Sequence, residues 1–102
     1  MSFCYYNKGM EIEFDPAKDA ANLKKHGLSL ALARSLTWDE AYAWPDGRFD
    51  YDEWRMSALV PLENNLYYVA YVDSGETMRV ISLRDANNRE KKCYEREFFN
   101  NA

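Results

Sequence analysis

The sequence predicts an α+β domain: a small twisted antiparallel sheet, with two N-terminal helices and a C-terminal helix packed on it. Three observations carry this. A capped helical pattern occupies residues 15–36, strand-like runs punctuated by Asn, Asp and Gly occupy 42–84, and helical spacing returns from residue 86. Helices segregated to either end of a block of strands give the α+β order rather than alternating βαβ units. A chain of 102 residues suits one domain, and three Trp, eight Tyr and five Phe supply one core, which excludes a disordered chain.

The first strand-like run is Glu11–Phe14, so residues 1–10 read as an N-terminal extension and 11–102 as a single domain. Asp15 is placed to cap a helix that Pro16 opens and Gly27 ends, spanning Ala17–His26. Ser29 then caps a second helix, Leu30 to about Leu36, with Leu28 as its hydrophobic staple. A weak strand covers Tyr42–Trp44 before an Asp46-Gly47 turn, and Pro45 confines it to a sheet edge. Residues 55–62 and 66–72 read as strands joined at Asn64-Asn65, and Asp73-Ser74-Gly75 turns the chain into a third, Met78–Arg84. Asp85 is placed to cap a last helix, Ala86 to about Phe98, with Ala86, Cys93, Tyr94 and Phe98 as its apolar stripe.

The net charge is −4 but unevenly spread. Residues 37–55 hold six acids against Arg48 and Arg55, whereas 76–96 hold six bases against four acids. An acidic total argues against holding nucleic acid by bulk charge, and leaves room for a basic cleft contacting a few phosphates and for a basic protein partner on the acidic stretch. No apolar run approaches a membrane span, and Cys4 and Cys93 have no evident pairing, so a reduced, cytoplasmic compartment is expected. The carboxylates of 46–55 lack metal-loop spacing and have no His or Cys beside them, so neither a metal nor another cofactor is expected.

Lys18, Asn22 and Lys25 fall on one face of the first helix, and His26, the only histidine, follows Asn22 by four. Such a face is either solvated or turned toward a phosphate-bearing ligand, with His26 as proton donor or acceptor. Glu53 and Arg55, at a strand entrance, offer a base and a phosphate-binding cation. Arg79 and Arg84 bracket the third strand, where alternation sends them to opposite faces unless a bulge intervenes. Glu90 falls in line with Ala86 and Tyr94 and needs a partner on that stripe; Arg84 is at hand, as a structural ion pair or as a cation held in pose.

Phe14-Asp15-Pro16-Ala17-Lys18, Asn22, Lys25-His26-Gly27, Asp46, Arg48, Tyr51 to Arg55, Arg79 to Arg84, Glu90 and Tyr94 together resemble the BrnT toxin family over about residues 11–98. The chain departs from the family pattern at Asp52 and near Val60-Pro61, where Gly is usual. The resemblance implies a RelE-like fold and a type II toxin that cleaves RNA without a metal and arrests translation. It also implies neutralisation by a BrnA-type ribbon-helix-helix antitoxin in a two-plus-two complex. Under it, His26, Glu53, Arg55, Arg79, Arg84 and Tyr94 are the catalytic candidates. Lys18, Asn22, Lys25 and Arg48 are the RNA-binding ones, and Glu90 is support. One histidine cannot both activate a ribose 2′-OH and protonate the leaving oxygen, so the proton roles spread over His26, Glu53, a lysine or Tyr94. Trp44, Phe49, Tyr51 and Trp54 in the acidic stretch are either antitoxin anchors or core. The rival is a non-catalytic toxin or binding module of the same fold, such as a gyrase poison.

Overall fold

The computed structural model describes the backbone of residues 11–50 and 53–99, and their side chains apart from 48–50, 53–54 and 98–99. Strand β1 (Glu11–Glu13) leads into helix α1 (Pro16–His26) and two 3-10 segments, Leu30–Ser35 and Trp38–Glu40. Strands β2 (Tyr42–Asp50), β3 (Glu53–Leu62), β4 (Asn65–Asp73) and β5 (Thr77–Asp85) follow, then helix α2 (Asn88–Phe99). The sheet order is β1-β5-β4-β3-β2.

The α+β class holds, but the sheet is mixed: β2 to β5 form an antiparallel meander, while β1 runs parallel to β5, Glu11–Glu13 beside Thr77–Arg79. No hairpin joins β1 to β5, so no turn forces opposite directions. Where β1 stops, α1 takes over the same margin. Asn22 on α1 donates from Nδ2 to the Leu83 carbonyl at 2.8 Å and accepts from the Leu83 N–H at 3.1 Å. The chain therefore travels along β5 in the direction of β5 itself, and β1 must be parallel.

Local signals fix α1. Asp15 accepts from the Ala17 N–H at 2.8 Å, Pro16 opens the helix, and Gly27 closes it at φ 75 with its N–H on the Leu23 carbonyl. The expected second helix is instead a 3-10 segment. Ser29 does cap it, through the Ala31 N–H at 3.1 Å, but the buried residues are Leu30, Ala33 and Leu36, a spacing of three rather than of three and four. The last helix begins at Asn88, not Ala86, because Ala86 still donates its N–H to Leu66 beside the sheet. Asn87 rather than Asp85 caps it: Asn87 and Glu90 exchange side-chain-to-backbone hydrogen bonds at 2.8 and 2.9 Å, a capping box. At the other margin, β2 is the edge strand that Pro45 suggested, but it continues to Asp50. The chain absorbs Asp46 and Gly47 in a register shift between Pro45 and Phe49 rather than turning there.

The sheet is covered on both faces. Leu30, Ala33, Leu36 and Trp38 pack on Ala58, Val60, Val69, Tyr71, Met78, Val80 and Leu83. On the other face, Tyr94 of α2 and Ala86 pack with Leu59, Tyr42, Trp44, Leu66 and Tyr68. Among the described residues no helix is long and apolar enough to cross a membrane.

Candidate functional site

A bulge in β5 assembles the site. Ala70 pairs with Ser82 and Tyr71 with Val80, which leaves Ile81 unmatched. Met78, Val80 and Leu83 consequently all enter the same core, and Arg79, Ser82 and Arg84 share the opposite face. The register extends this face across the sheet. Arg55, Val72 and Arg79 form one row over three strands, and Leu59, Tyr68 and Arg84 a second. Neighbouring strands stand about 4.8 Å apart, so the Arg55 and Arg79 backbones lie roughly 10 Å from each other.

Arg84 is held from several sides. It grips Glu90 with two hydrogen bonds of 2.9 Å, donates to the Asp85 carbonyl at 3.1 Å, and stacks 4.3 Å above the Tyr68 ring. The Tyr68 hydroxyl in turn meets Ser57 Oγ at 2.7 Å. Burial alone would raise the Glu90 pKa, but the Arg84 hydrogen bonds, the Asn87 N–H and the Arg84 charge outweigh it and hold the carboxyl below its ordinary value. The ion pair foreseen for Arg84 and Glu90 is thus present. Arg55 is built differently. It is half-buried, and its Nε is buried without a hydrogen-bond partner among the described residues.

Beside this face, α1 and β5 enclose a shallow cleft of about 230 Å³ lined by Lys18, Lys25, His26, Ile81 and Ser82, with Asn22 at its base. Lys18 and Lys25 are exposed and His26 half-buried. Asn22 is only 5% exposed. Its amide is spent on the backbone of Leu83 and on the Leu28 carbonyl at 2.9 Å, so it shapes the cleft rather than presenting a free group to it. The bulge residue Ile81 and its neighbour Ser82 join the α1 cleft to the arginine face.

Tyr94 stands apart. It is buried with Leu59 and Ala86, and its hydroxyl donates to the Glu40 carbonyl at 2.7 Å. Burial first, and the Glu40 charge second, push its pKa up to about 12. The side chains of Arg48 and Glu53 lie outside the described residues; their backbones belong to β2 and β3, Glu53 two residues ahead of Arg55. Phe49, Tyr51 and Trp54 likewise fall outside them, while Trp44 is half-buried against Tyr42. Tyr68, Ser57 and Ser82 escaped the sequence reading. Tyr68 faces Arg84 only through a cross-strand register that no local pattern encodes. Among the described residues no group of three or more His, Cys, Asp or Glu is arranged to hold a metal ion.

No curated protein matches the chain. A family model described as the ribonuclease toxin, BrnT, of type II toxin–antitoxin systems matches residues 14–90. That span runs from the residue before the Asp15 cap to Glu90, and takes in the α1 cleft, the arginine rows and the carboxylate that fixes Arg84. The chain belongs to the BrnT family of ribonuclease toxins of type II toxin–antitoxin systems.

Proposed function

We propose that this chain is a metal-independent endoribonuclease of RelE-like fold that cleaves RNA by attack of a ribose 2′-OH on the adjacent phosphorus, and so arrests translation. The observation that carries the reading is the Ile81 bulge, which gathers Arg79, Ser82 and Arg84 on the face of Arg55 and beside Lys18, Lys25 and His26. Such cleavage develops negative charge on the phosphorane, and fixed guanidinium groups are the donors suited to it. Arg55, with an unused buried N–H, and Arg79 take that role, with Arg84 locked in pose by Glu90. Lys18, Lys25 and Arg48 hold flanking phosphates. His26 and Glu53 divide the proton transfers. Tyr94, Asn22 and Glu90 act as scaffold: each has its polar atoms engaged within the fold.

A type II toxin family implies an antitoxin. In our reading this is a BrnA-type ribbon-helix-helix protein, joined in a two-plus-two complex in the cytoplasm and docked on the acidic stretch 37–55. The experiment is incubation of the purified protein with RNA in excess chelator. The expected products carry 2′,3′-cyclic phosphate and 5′-hydroxyl ends, and Arg55→Ala slows their formation by about 10²–10³. Intact RNA alongside inhibited DNA supercoiling would overturn the reading in favour of a gyrase poison.

A further inference from the structure

A second cavity, of about 570 Å³, opens between α2 and the β2–β3 side of the sheet. Leu59 is buried in its wall and Trp44 and Cys93 are half-buried, while Arg89, Lys92 and Arg96 stand exposed around it. The three cations follow the i, i+3, i+7 spacing of a single helical stripe, spread over about 10 Å of helix axis. Among the described residues Arg89 and Lys92 form no ion pair; Arg96 is 62% exposed and touches Glu97 only at 3.6 Å. Trp44 is held obliquely against Tyr42, ring centroids 5.5 Å apart at 39°. Glu90, which fixes Arg84, lines the same cavity, so the groove begins where the arginine rows end.

We infer that this groove is an accessory subsite for single-stranded RNA, in which one base packs against Trp44 while its neighbouring phosphates lie along Arg89, Lys92 and Arg96. The inference rests on the ribonuclease reading and extends it to where the substrate runs beyond the cleaved bond. Three cations in line, in a chain of net charge −4, match a polyanion. An aromatic ring flanked by such cations is the arrangement that binds single strands without reading their sequence. The volume is that of a small-ligand pocket and admits a nucleotide or two. Occupancy here anchors a strand whose adjoining phosphates reach Arg84, so long substrates gain affinity that a dinucleotide does not.

The test measures binding of a single-stranded dodecamer, blocked against cleavage by 2′-O-methyl groups, to the full chain by fluorescence anisotropy over a salt series. Arg89→Ala combined with Lys92→Ala changes only exposed side chains and should weaken binding about tenfold, reducing the salt slope by about 0.7 for each lost phosphate contact. Trp44→Leu should weaken it at unchanged slope. In cleavage assays the double variant should raise KM for the unblocked dodecamer, with kcat unchanged and dinucleotide turnover intact. If both variants bind the blocked dodecamer as tightly as the unaltered chain, the subsite is refuted whether or not the protein cleaves RNA. If they keep RNA affinity but lose the antitoxin, the groove belongs to that partner and the inference is overturned. If binding falls as described while no RNA is ever cut, the subsite stands and the ribonuclease reading falls.

Discussion

Tyr71 and Tyr68 stand three residues apart on β4 and belong to different worlds. Tyr71 has no exposed surface and takes the edge of the Trp38 ring, 5.6 Å between centroids at 83°, among aliphatic side chains. Tyr68 faces the other way, hydroxyl on Ser57 and ring beneath the Arg84 guanidinium. One sheet thus has a face built almost entirely from apolar contact and a face where, beside the small α2 cluster, Arg84, Glu90, Tyr68 and Ser57 are tied by directed bonds. The apolar face can be altered only at the expense of the whole fold. The polar face holds its groups in fixed positions, and positions are what a developing charge requires.

The largest effect expected from breaking this division is on the apolar side. Trp38→Ala removes a ring that is 2% exposed together with its indole hydrogen bond to the Ala33 carbonyl, and should cost about 3–5 kcal/mol in chemical denaturation. Cleavage per folded molecule should remain. Arg55→Ala should do the reverse, lowering the cleavage rate by about 10²–10³ with the denaturation midpoint nearly unmoved. Equal effects on rate and stability in both variants would dissolve the distinction between the faces.

Glu90→Gln probes the link between the two tasks. Because the folded carboxyl titrates below its ordinary value of 4.5, the ion pair contributes stability that is fully present above that pH and lost as pH falls through the lowered folded value. The variant should lose about 1–2 kcal/mol at neutral pH and show a shallower decline in stability between pH 5 and the acid limit. It should also slow cleavage, since Arg84 loses its pose. The smallest effect belongs to Gly27→Ala, where nothing lies within 4 Å but φ is 75; about 1 kcal/mol of stability should go, with the site unchanged.

How far the sequence discloses this molecule depends on how local each determinant is. Asp15, Pro16 and Gly27 act on neighbours within a turn, and α1 lies where they put it. The direction of β1 depends on Asn22 meeting Leu83, sixty-one residues away, and no window of sequence contains both. The bulge is an intermediate case. Met78 and Val80 are in phase and Leu83 is not, a broken period that leaves room for a bulge without fixing one; the pairing of Tyr71 with Val80 and Ala70 with Ser82 supplies it. Tyr94 is a different case: its place on the stripe is legible, but its hydroxyl meets the Glu40 carbonyl, fifty-four residues away, through packing that spacing does not encode.

The side-chain amide of Asn22 does for β5 what the backbone of another strand would do, offering Leu83 both a donor and an acceptor. An unpaired strand margin is an invitation to any other chain with a spare edge. Here α1 occupies the Leu83 end of that margin with a helix, which adds no strand, while β1 pairs with its Thr77–Arg79 end. At the opposite margin, β2 carries Pro45, which has no N–H to give, and an irregular register beyond it. Part of each rim is thus occupied: the Leu83 stretch of β5 by the residue that also shapes the cleft, and the Pro45 position of β2 by a residue with no N–H to give.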